Sequence, residues 1–348
     1  MKKIFLSFIT LFCCILLCSC RSGENGEVYV YCYGDYFDPM VAEEFEEETG
    51  IRVIQDYYDT AEEMYTVLEN NATTYDCICT SDYMIEKLVN NDMLAELNYE
   101  NIPEAKNIDD IYMKKSESFD PGNKYSIPYQ VGILGIDYNT KMVGDIKIDS
   151  WEDLWNEEFA DQMVMPDSVR DAFAISLKKN GATLNSEDEK EIKAAAKDLI
   201  AQKSMVYRYA NDAARDLLVD GSAAVGVVWN GEYQYIKDLN EDCEFVVPKE
   251  GSEFFIDSWF IPKDAINKAN AEAWINYLCR ADVAYKNFEY LYYTTPNKAA
   301  KELIDEEYLE DEAIFPSEEL VGKCESLKTL DNKTMDIYSM NWKKVKAE

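Results

Sequence analysis

The sequence contains no histidine, which limits the chemistry open to this chain. Histidine is the commonest general base near neutral pH and a frequent ligand of zinc. Its absence excludes Ser-His-Asp and Cys-His catalysis and every histidine-ligated metal site. There is also no GxGxxG fingerprint, P-loop or solenoid-type repeat, so nothing in the sequence supports nucleotide chemistry.

Metal-ligand spacing is equally absent from the cysteines. Four of the ten cysteines fall within the first twenty residues, and the other six are scattered along the chain: Cys32, Cys77, Cys79, Cys243, Cys279 and Cys324. Cys77 and Cys79 stand two apart on a predicted strand, so they share one face and are expected to be small core residues. We predict no metal and no cofactor, and leave open whether the later cysteines form disulfides.

Positive charge is scarce. The chain has 34 Lys plus Arg against 68 Asp plus Glu, a net charge of −34. Such a surface repels nucleic acid, so no nucleic-acid partner is predicted, and it favours cationic ligands. Acidity that merely keeps an exported protein soluble is the commoner explanation, so net charge permits a cationic ligand without identifying one.

The amino terminus has the pattern of an export signal. Lys2 and Lys3 precede an apolar run over residues 4–17, which is shorter than the ~20 residues that span a bilayer. Ser19 before Cys20 fits a lipobox, which predicts a signal peptide over 1–19, lipidation of Cys20 and a tether over 20–27. A plain cleaved signal and a short membrane anchor are the alternatives.

The remaining residues alternate between strand-like and helix-like segments, which indicates an α/β fold. Residues 28–79 give a complete βαβαβ unit, and a second alternating series follows residue 150. Two extended runs near 129–136 and 252–260 would cross between the two units. We therefore predict two mixed sheets flanked by helices and two hinged lobes, lobe 1 over 28–131 plus 257–300 and lobe 2 over 132–256 plus 301–348.

Short segments spread along the chain together resemble the spermidine/putrescine-binding proteins of the PotD/PotF family. They are TGIRV (49–53), YD (75–76), YSIPY (125–129), SWEDLW (150–155), WNG (229–231), PKEG (248–251), DS (257–258) with IP (261–262), and TPN (295–297). The resemblance covers about residues 28–345. It implies the type II periplasmic-binding-protein fold, with the ligand in the cleft between the lobes.

Carried over by position, the resemblance implies ligand-binding roles for acids, aromatic residues and two serines. They are Tyr33, Asp35, Tyr36, Ser81, Tyr83, Ser168, Asp171, Trp229, Phe255, Asp257 and Tyr293. Acids pair with the ammonium groups of a polyamine, and aromatic faces cover its methylenes. Ser81 could instead be a helix N-cap, and Trp229 a core residue. Ser168 replaces an acid of the family pattern, which favours a diamine over a triamine. The family also has a ligand contact towards the carboxyl-terminal end, which would fall near Glu325 or Lys328, and we leave its counterpart here open.

The predicted function is that of a substrate-binding lipoprotein of an ABC importer. It would be a monomer on the outer face of the cytoplasmic membrane that delivers putrescine or spermidine to permease subunits, with no enzymatic activity. A ferric-ion carrier is the nearest alternative, because Tyr292 and Tyr293 are adjacent, although such sites usually add acids or histidine, and histidine is absent. A secreted hydrolase with two carboxylates and an adhesin or scaffold lipoprotein are further alternatives.

Overall fold

The computed structural model describes residues 25–34, 36–70, 73–211 and 213–347. The predicted signal peptide, the lipidated Cys20 and the candidate ligand residue Asp35 lie outside the described residues. Within the described part of the chain, no helix is both long and apolar enough to cross a membrane.

Strands occur in two series, in the order expected from the sequence. They are β1 Glu27–Tyr33, β2 Arg52–Tyr58, β3 Cys77–Thr80, β4 Ser126–Asn139, β5 Met163–Met165, β6 Val206–Tyr209, β7 Val225–Trp229, β8 Cys243–Val246 and β9 Phe254–Phe260.

Helices connect these strands and make up most of the carboxyl-terminal part. They are α1 Pro39–Thr49, α2 Ala61–Glu69, α3 Asp82–Asn90, α4 Asp110–Ser116, α5 Thr140–Val143, α6 Val169–Lys179, α7 Glu189–Gln202, α8 Ala213–Val219, α9 Asn230–Leu239, α10 Lys268–Leu278, α11 Ala281–Leu291, α12 Lys298–Lys301, α13 Glu306–Leu309, α14 Glu318–Lys323 and α15 Asn332–Ala347. Short 3-10 helices span Pro103–Asn107, Trp151–Trp155 and Glu157–Phe159.

Helix α1 shows how local sequence sets the boundaries. The Asp38 side chain accepts the Met40 N–H at 2.8 Å, and Pro39 occupies the first helical position, where its missing N–H costs nothing. Gly50 ends the helix with a φ of 70°, a left-handed conformation that glycine adopts without steric cost. Local sequence therefore accounts for both ends of this helix.

Strand β4 joins the two halves of the molecule. Its first part, Ser126–Ile133, pairs with β9 in an antiparallel arrangement, and its second part, Leu134–Asn139, pairs with β7 and β8. The hydrogen-bonded path therefore runs β2-β1-β3-β9-β4-β7-β5-β6, with β8 attached to β4. The predicted extended runs are confirmed as β4 and β9, and the two expected sheets are continuous through β4.

Separate hydrophobic cores lie on the two sides of this junction. One is built around Val30, Phe45 and Trp274, and the other around Trp151, Phe173 and Tyr338. Cys77 and Cys79 are fully buried in the first core, as predicted. All six cysteines of the described residues are free thiols.

The carboxyl-terminal part of the chain touches both sides of the junction. Ile304 and Ile314 pack with Phe288, whereas α15 packs on α6 and α7. Between them, Glu325 forms a parallel bridge with Glu253, just before β9, and its carbonyl accepts the Phe254 N–H at 3.0 Å. A third segment therefore runs beside the two long strands.

Candidate functional site

The site begins where two parallel strands end side by side. β1 ends at Tyr33 and β3 at Thr80, and the register of the pair brings Tyr33 next to the start of α3. β9 lies on the other side of β3, with Thr80 opposite Ser258. Carboxyl ends of parallel strands are the usual place for ligands in open α/β sheets, because loops and helix starts converge there.

Asp257, in β9, is the buried acid of this region. Its side chain is only 3% exposed, and the Tyr36 hydroxyl donates a short hydrogen bond to Oδ2. Oδ1 is buried and has no hydrogen-bond partner among the described residues. Burial raises the pKa of Asp257 to about 6, although the hydrogen bond from Tyr36 and the nearby Ser81 hydroxyl act to lower it.

Tyr33 and Ser81 stand next to this acid. The Tyr33 hydroxyl and Ser81 Oγ are hydrogen-bonded at 3.1 Å, and the Tyr33 ring lies 5.2 Å from that of Tyr36 in an edge-to-face arrangement. Ser81 precedes α3 but makes no side-chain capping bond. Its hydroxyl is thus directed to Tyr33 and Asp257, whereas the N-cap alternative lacks the hydrogen bond that would define it.

Three aromatic residues form a second wall. The Phe255 ring lies 4.8 Å from Trp229 and 5.9 Å from Tyr293, centroid to centroid. Two glycines allow this packing: a Cβ on Gly132 would lie 2.2 Å from the Phe255 ring, and one on Gly231 would lie 2.4 Å from Tyr293. Trp229 therefore has the position of a wall residue, at the end of β7.

Ser168 and Asp171 lie at the start of α6, and Tyr83 lies in α3. Ser168 is the N-cap of α6 and accepts the Asp171 N–H at 3.5 Å, so a capping role accounts for this serine. Burial raises the pKa of Asp171, while Ser168 and the charge of Arg170 oppose the rise. Burial is the main cause of the raised pKa of Tyr83, with a smaller contribution from the charge of Asp171, and the Tyr83 hydroxyl donates to Glu62 at 3.1 Å.

The structure adds two acids that the sequence analysis did not select. Asp82 is 2% exposed and accepts the Tyr83 N–H at 2.7 Å and the Ile256 N–H at 3.4 Å. Burial raises the pKa of Asp82 to about 7, and the charge of Asp257 adds to the rise. The second acid is Glu253, 5% exposed, at the start of the extended segment that becomes β9.

Tyr129 and Tyr58 complete the lining behind the site. The Tyr129 hydroxyl donates to the Tyr36 carbonyl at 3.0 Å, and the Tyr58 ring lies 4.5 Å from Tyr33. Both tyrosines lie in strands, where the sequence shows only the two-residue alternation of a buried face. Nothing in it therefore separates them from ordinary core residues.

Buried carboxylates enclosed by aromatic rings make an environment that suits an organic cation. Carboxylates supply counter-charge, and ring faces attract cations while covering apolar carbon. In the part of the chain that the structure describes, no group of three or more Cys, Asp or Glu side chains is placed to hold a metal ion.

Two α/β units joined by long paired strands, with a site at the junction, define a solute-binding protein of the type II periplasmic fold. The chain belongs to the bacterial extracellular solute-binding protein family, whose sequence model matches residues 40–316. Family membership and fold, both predicted from the sequence, are thereby confirmed.

Curated relatives and solved structures agree with this assignment. The spermidine/putrescine-binding periplasmic protein of Salmonella typhimurium is 33% identical over 328 residues, covering 94% of this chain and 93% of the relative. The putrescine-binding periplasmic protein PotF of Escherichia coli is 28% identical, covering 94% of this chain and 93% of the relative. The spermidine/putrescine ABC transporter substrate-binding protein PotD of Streptococcus pneumoniae superposes with a TM-score of 0.84 at 36% identity, covering 92% and 98%.

Proposed function

We propose that this chain captures a polyamine, putrescine or spermidine, between its two lobes and delivers it to the permease of an ABC importer. The observation that carries the proposal is Asp257. One of its oxygens accepts from Tyr36, while the other is buried and has no partner among the described residues. Removing a charge from water costs several kcal/mol unless a counter-charge is supplied, and an ammonium group would supply it.

The aromatic walls suit the rest of such a ligand. The paired rings of Tyr33 and Tyr36, and the packed rings of Trp229, Phe255 and Tyr293, would cover methylene groups. Each ring facing an ammonium group would add roughly 0.5–2 kcal/mol. The relatives are spermidine- and putrescine-binding proteins, which supports the same ligand class.

The proposal includes the cellular setting predicted from the sequence. Residues 1–19 would be removed on export, Cys20 would carry the lipid anchor, and the folded part would stand as a monomer on the outer face of the cytoplasmic membrane. The lobe boundaries, 28–131 plus 257–300 and 132–256 plus 301–348, form part of the same proposal. The chain would bind and release its ligand unchanged, without catalysis.

Isothermal titration of the lipid-free chain starting after Cys20 tests the ligand class. Putrescine, cadaverine, spermidine and spermine are the candidate ligands, with glutamate and ferric citrate as controls. Micromolar or tighter binding of at least one amine, with no response to the controls, is expected. Binding of ferric citrate alone would favour the ferric-ion alternative, and no response to any amine would contradict the proposal.

A further inference from the structure

Asn230 is a fully buried amide that the proposed ligand contacts leave unused. It follows Trp229 at the end of β7 and is the first residue of α9, and its exposed fraction is 0%. A buried amide costs free energy unless its donors and its acceptor are paired, so its partners show which parts of the chain it holds together.

The hydrogen bonds of Asn230 reach three separate segments of the chain. Its Oδ1 accepts the Ile133 N–H at 3.0 Å, and its Nδ2 donates to the Ala313 carbonyl at 3.0 Å and to Thr294 Oγ1 at 3.4 Å. The Thr294 hydroxyl in turn donates to the Ile314 carbonyl. An asparagine amide offers an acceptor oxygen and two N–H donors, so the oxygen and both donors have partners here.

These segments meet where β4 changes its pairing partner. Ile133 is the last residue of β4 in register with β9, and Leu134 is the first in register with β7. Two residues before Ile133, the Val131 N–H donates to the Thr294 carbonyl at 3.0 Å, so the segment around Thr294 also lies along β4. The Asn230 side chain therefore stands at the crossover between the two halves of the molecule.

Two residues of the aromatic wall are the immediate chain neighbours of this hydrogen-bonded pair. Trp229 precedes Asn230, and Tyr293 precedes Thr294. The Tyr293 ring lies against Gly231, where a Cβ would come within 2.4 Å of it. The bond between Asn230 and Thr294 therefore joins the two backbone segments that carry Trp229 and Tyr293.

We infer that Asn230 is a positioning residue of the site, which holds Trp229 and Tyr293 in place across the junction of the two halves. Resting on the proposed function, the inference gives the aromatic wall a support that acts through these two rings. A wall that is held in position before the ligand arrives need not be ordered on binding. Loss of the amide should therefore weaken the binding of every amine alike, whatever its number of ammonium groups.

The test compares Asn230→Ala with Asn139→Ala. Both variants remove a buried amide, but Asn139 ends β4, where its Oδ1 accepts the Lys141 and Met142 N–H groups at 3.0 and 3.1 Å. Titration at pH 7.5 measures the affinities for putrescine and spermidine. Fluorine NMR of ligand-free protein labelled with fluorotryptophan reports on Trp229, whose resonance is assigned with Trp229→Phe.

We expect Asn230→Ala to lower both affinities by roughly tenfold, since two rings must then be ordered on binding, and to shift or broaden the Trp229 resonance. Asn139→Ala should leave both affinities within about twofold of wild type and the resonance unchanged. Thermal unfolding without ligand checks that each variant is folded. If Asn230→Ala is not, Thr294→Val replaces it with the same expectations, because valine keeps the size of the side chain and removes the hydroxyl, and Thr294→Ser should restore wild-type behaviour.

The outcomes separate this inference from the proposed function. Unchanged affinities in Asn230→Ala, or weaker binding with an unchanged Trp229 resonance, would overturn the inference, because the amide would then have only a structural role. Binding of neither amine by wild-type protein would instead contradict the proposed function, and the resonance would still decide whether Asn230 positions Trp229.

Discussion

At the scale of single residues, Asp257 illustrates how a binding site differs from a core. Its neighbours could have neutralised the carboxylate, yet Tyr36 bonds only one oxygen. In the proposed function, an ammonium group of the ligand pairs with the other oxygen. Without ligand the protein bears the cost of burial, which raises the pKa of Asp257 to about 6. A residue built for binding is therefore destabilising until its partner arrives.

Asp257→Asn should abolish tight binding without harming the fold. Truncating one partner of a buried charge pair costs roughly 2–5 kcal/mol, so the affinity for the preferred amine should fall by more than tenfold at pH 7.5. The ligand-free melting temperature should stay the same or rise, since a buried charge is removed. Titration and thermal unfolding measure the two effects, and an affinity within twofold of wild type would mean that Asp257 does not pair with an ammonium group of the ligand.

Tyr36→Phe should move the pH dependence of binding. The Tyr36 hydroxyl lowers the pKa of Asp257 by hydrogen-bonding its ionised form, so its removal raises that pKa further. Binding of a cation requires the ionised acid, and the midpoint of affinity against pH should therefore shift upwards. Tyr129→Phe is the matched control, because that hydroxyl donates to a backbone carbonyl and not to an acid. Equal midpoints in the two variants would contradict the argument.

At the scale of strands and helices, the pairing of β4 with β9 depends on a glycine, Gly132, which has no side chain. Phe255 occupies the space above Gly132, and a Cβ there would lie 2.2 Å from its ring. That ring also packs against Trp229 and Tyr293, so it cannot simply turn away. The glycine thus fixes the height of the aromatic wall over the sheet.

Gly132→Ala is expected to lower stability by roughly 1–3 kcal/mol through overpacking. It should also weaken ligand binding, since displacement of Phe255 disturbs the wall. Gly322→Ala, in α14, meets no atom within 4 Å and should be neutral or stabilising by up to about 1 kcal/mol. Urea unfolding and ligand titration of the two variants test the contrast, and similar stabilities would show that the wall adjusts freely.

Sequence pattern was sufficient for most elements because their signals are local. Asp38-Pro39 and Gly50 mark the two ends of α1, and the alternating strands follow from short β-rich runs. The continuity of β4 through both halves was not predictable in detail, because pairing partners more than a hundred residues away decide it. Pattern gives an extended run, whereas the sheet to which each part belongs is a tertiary property.

The same limit applies to the site. Resemblance supplied the candidate ligand residues, but it could not select Glu253 or Asp82, since neither belongs to the matched segments that carry the ligand roles. An acid in a chain with 68 carboxylates is unremarkable until its burial is known. Both acids become buried only when β9, α3 and the segment around Glu325 pack together. Asp82 then accepts a hydrogen bond from Ile256, and Glu253 forms a bridge with Glu325.

At the scale of the whole molecule, buried acids make ligand-free stability depend on pH. The pKa values of Asp257, Asp82 and Asp137 are raised by burial to about 6, 7 and 8. In unfolded chains an aspartic acid has a pKa near ~3.9. The folded state therefore holds more protons than the unfolded state between these values, so the free energy of unfolding falls as pH rises from about 4 to about 8.

Ligand binding should respond to pH in the opposite direction, and the two effects can be separated in one experiment. A cationic ligand needs ionised Asp257, so below pH 6 a proton competes with it, and the affinity should fall by up to about tenfold per pH unit for one linked proton. The ligand-free melting temperature should rise on going from pH 7.5 to pH 5, while the increase produced by spermidine shrinks. Thermal unfolding at pH 5, 6 and 7.5, with and without spermidine, measures both trends.

Asp257→Asn should lose most of the pH dependence of binding but keep the part of the ligand-free trend that Asp82 and Asp137 cause. A spermidine-induced increase that is the same at all three pH values would show that ionisation of Asp257 does not control capture.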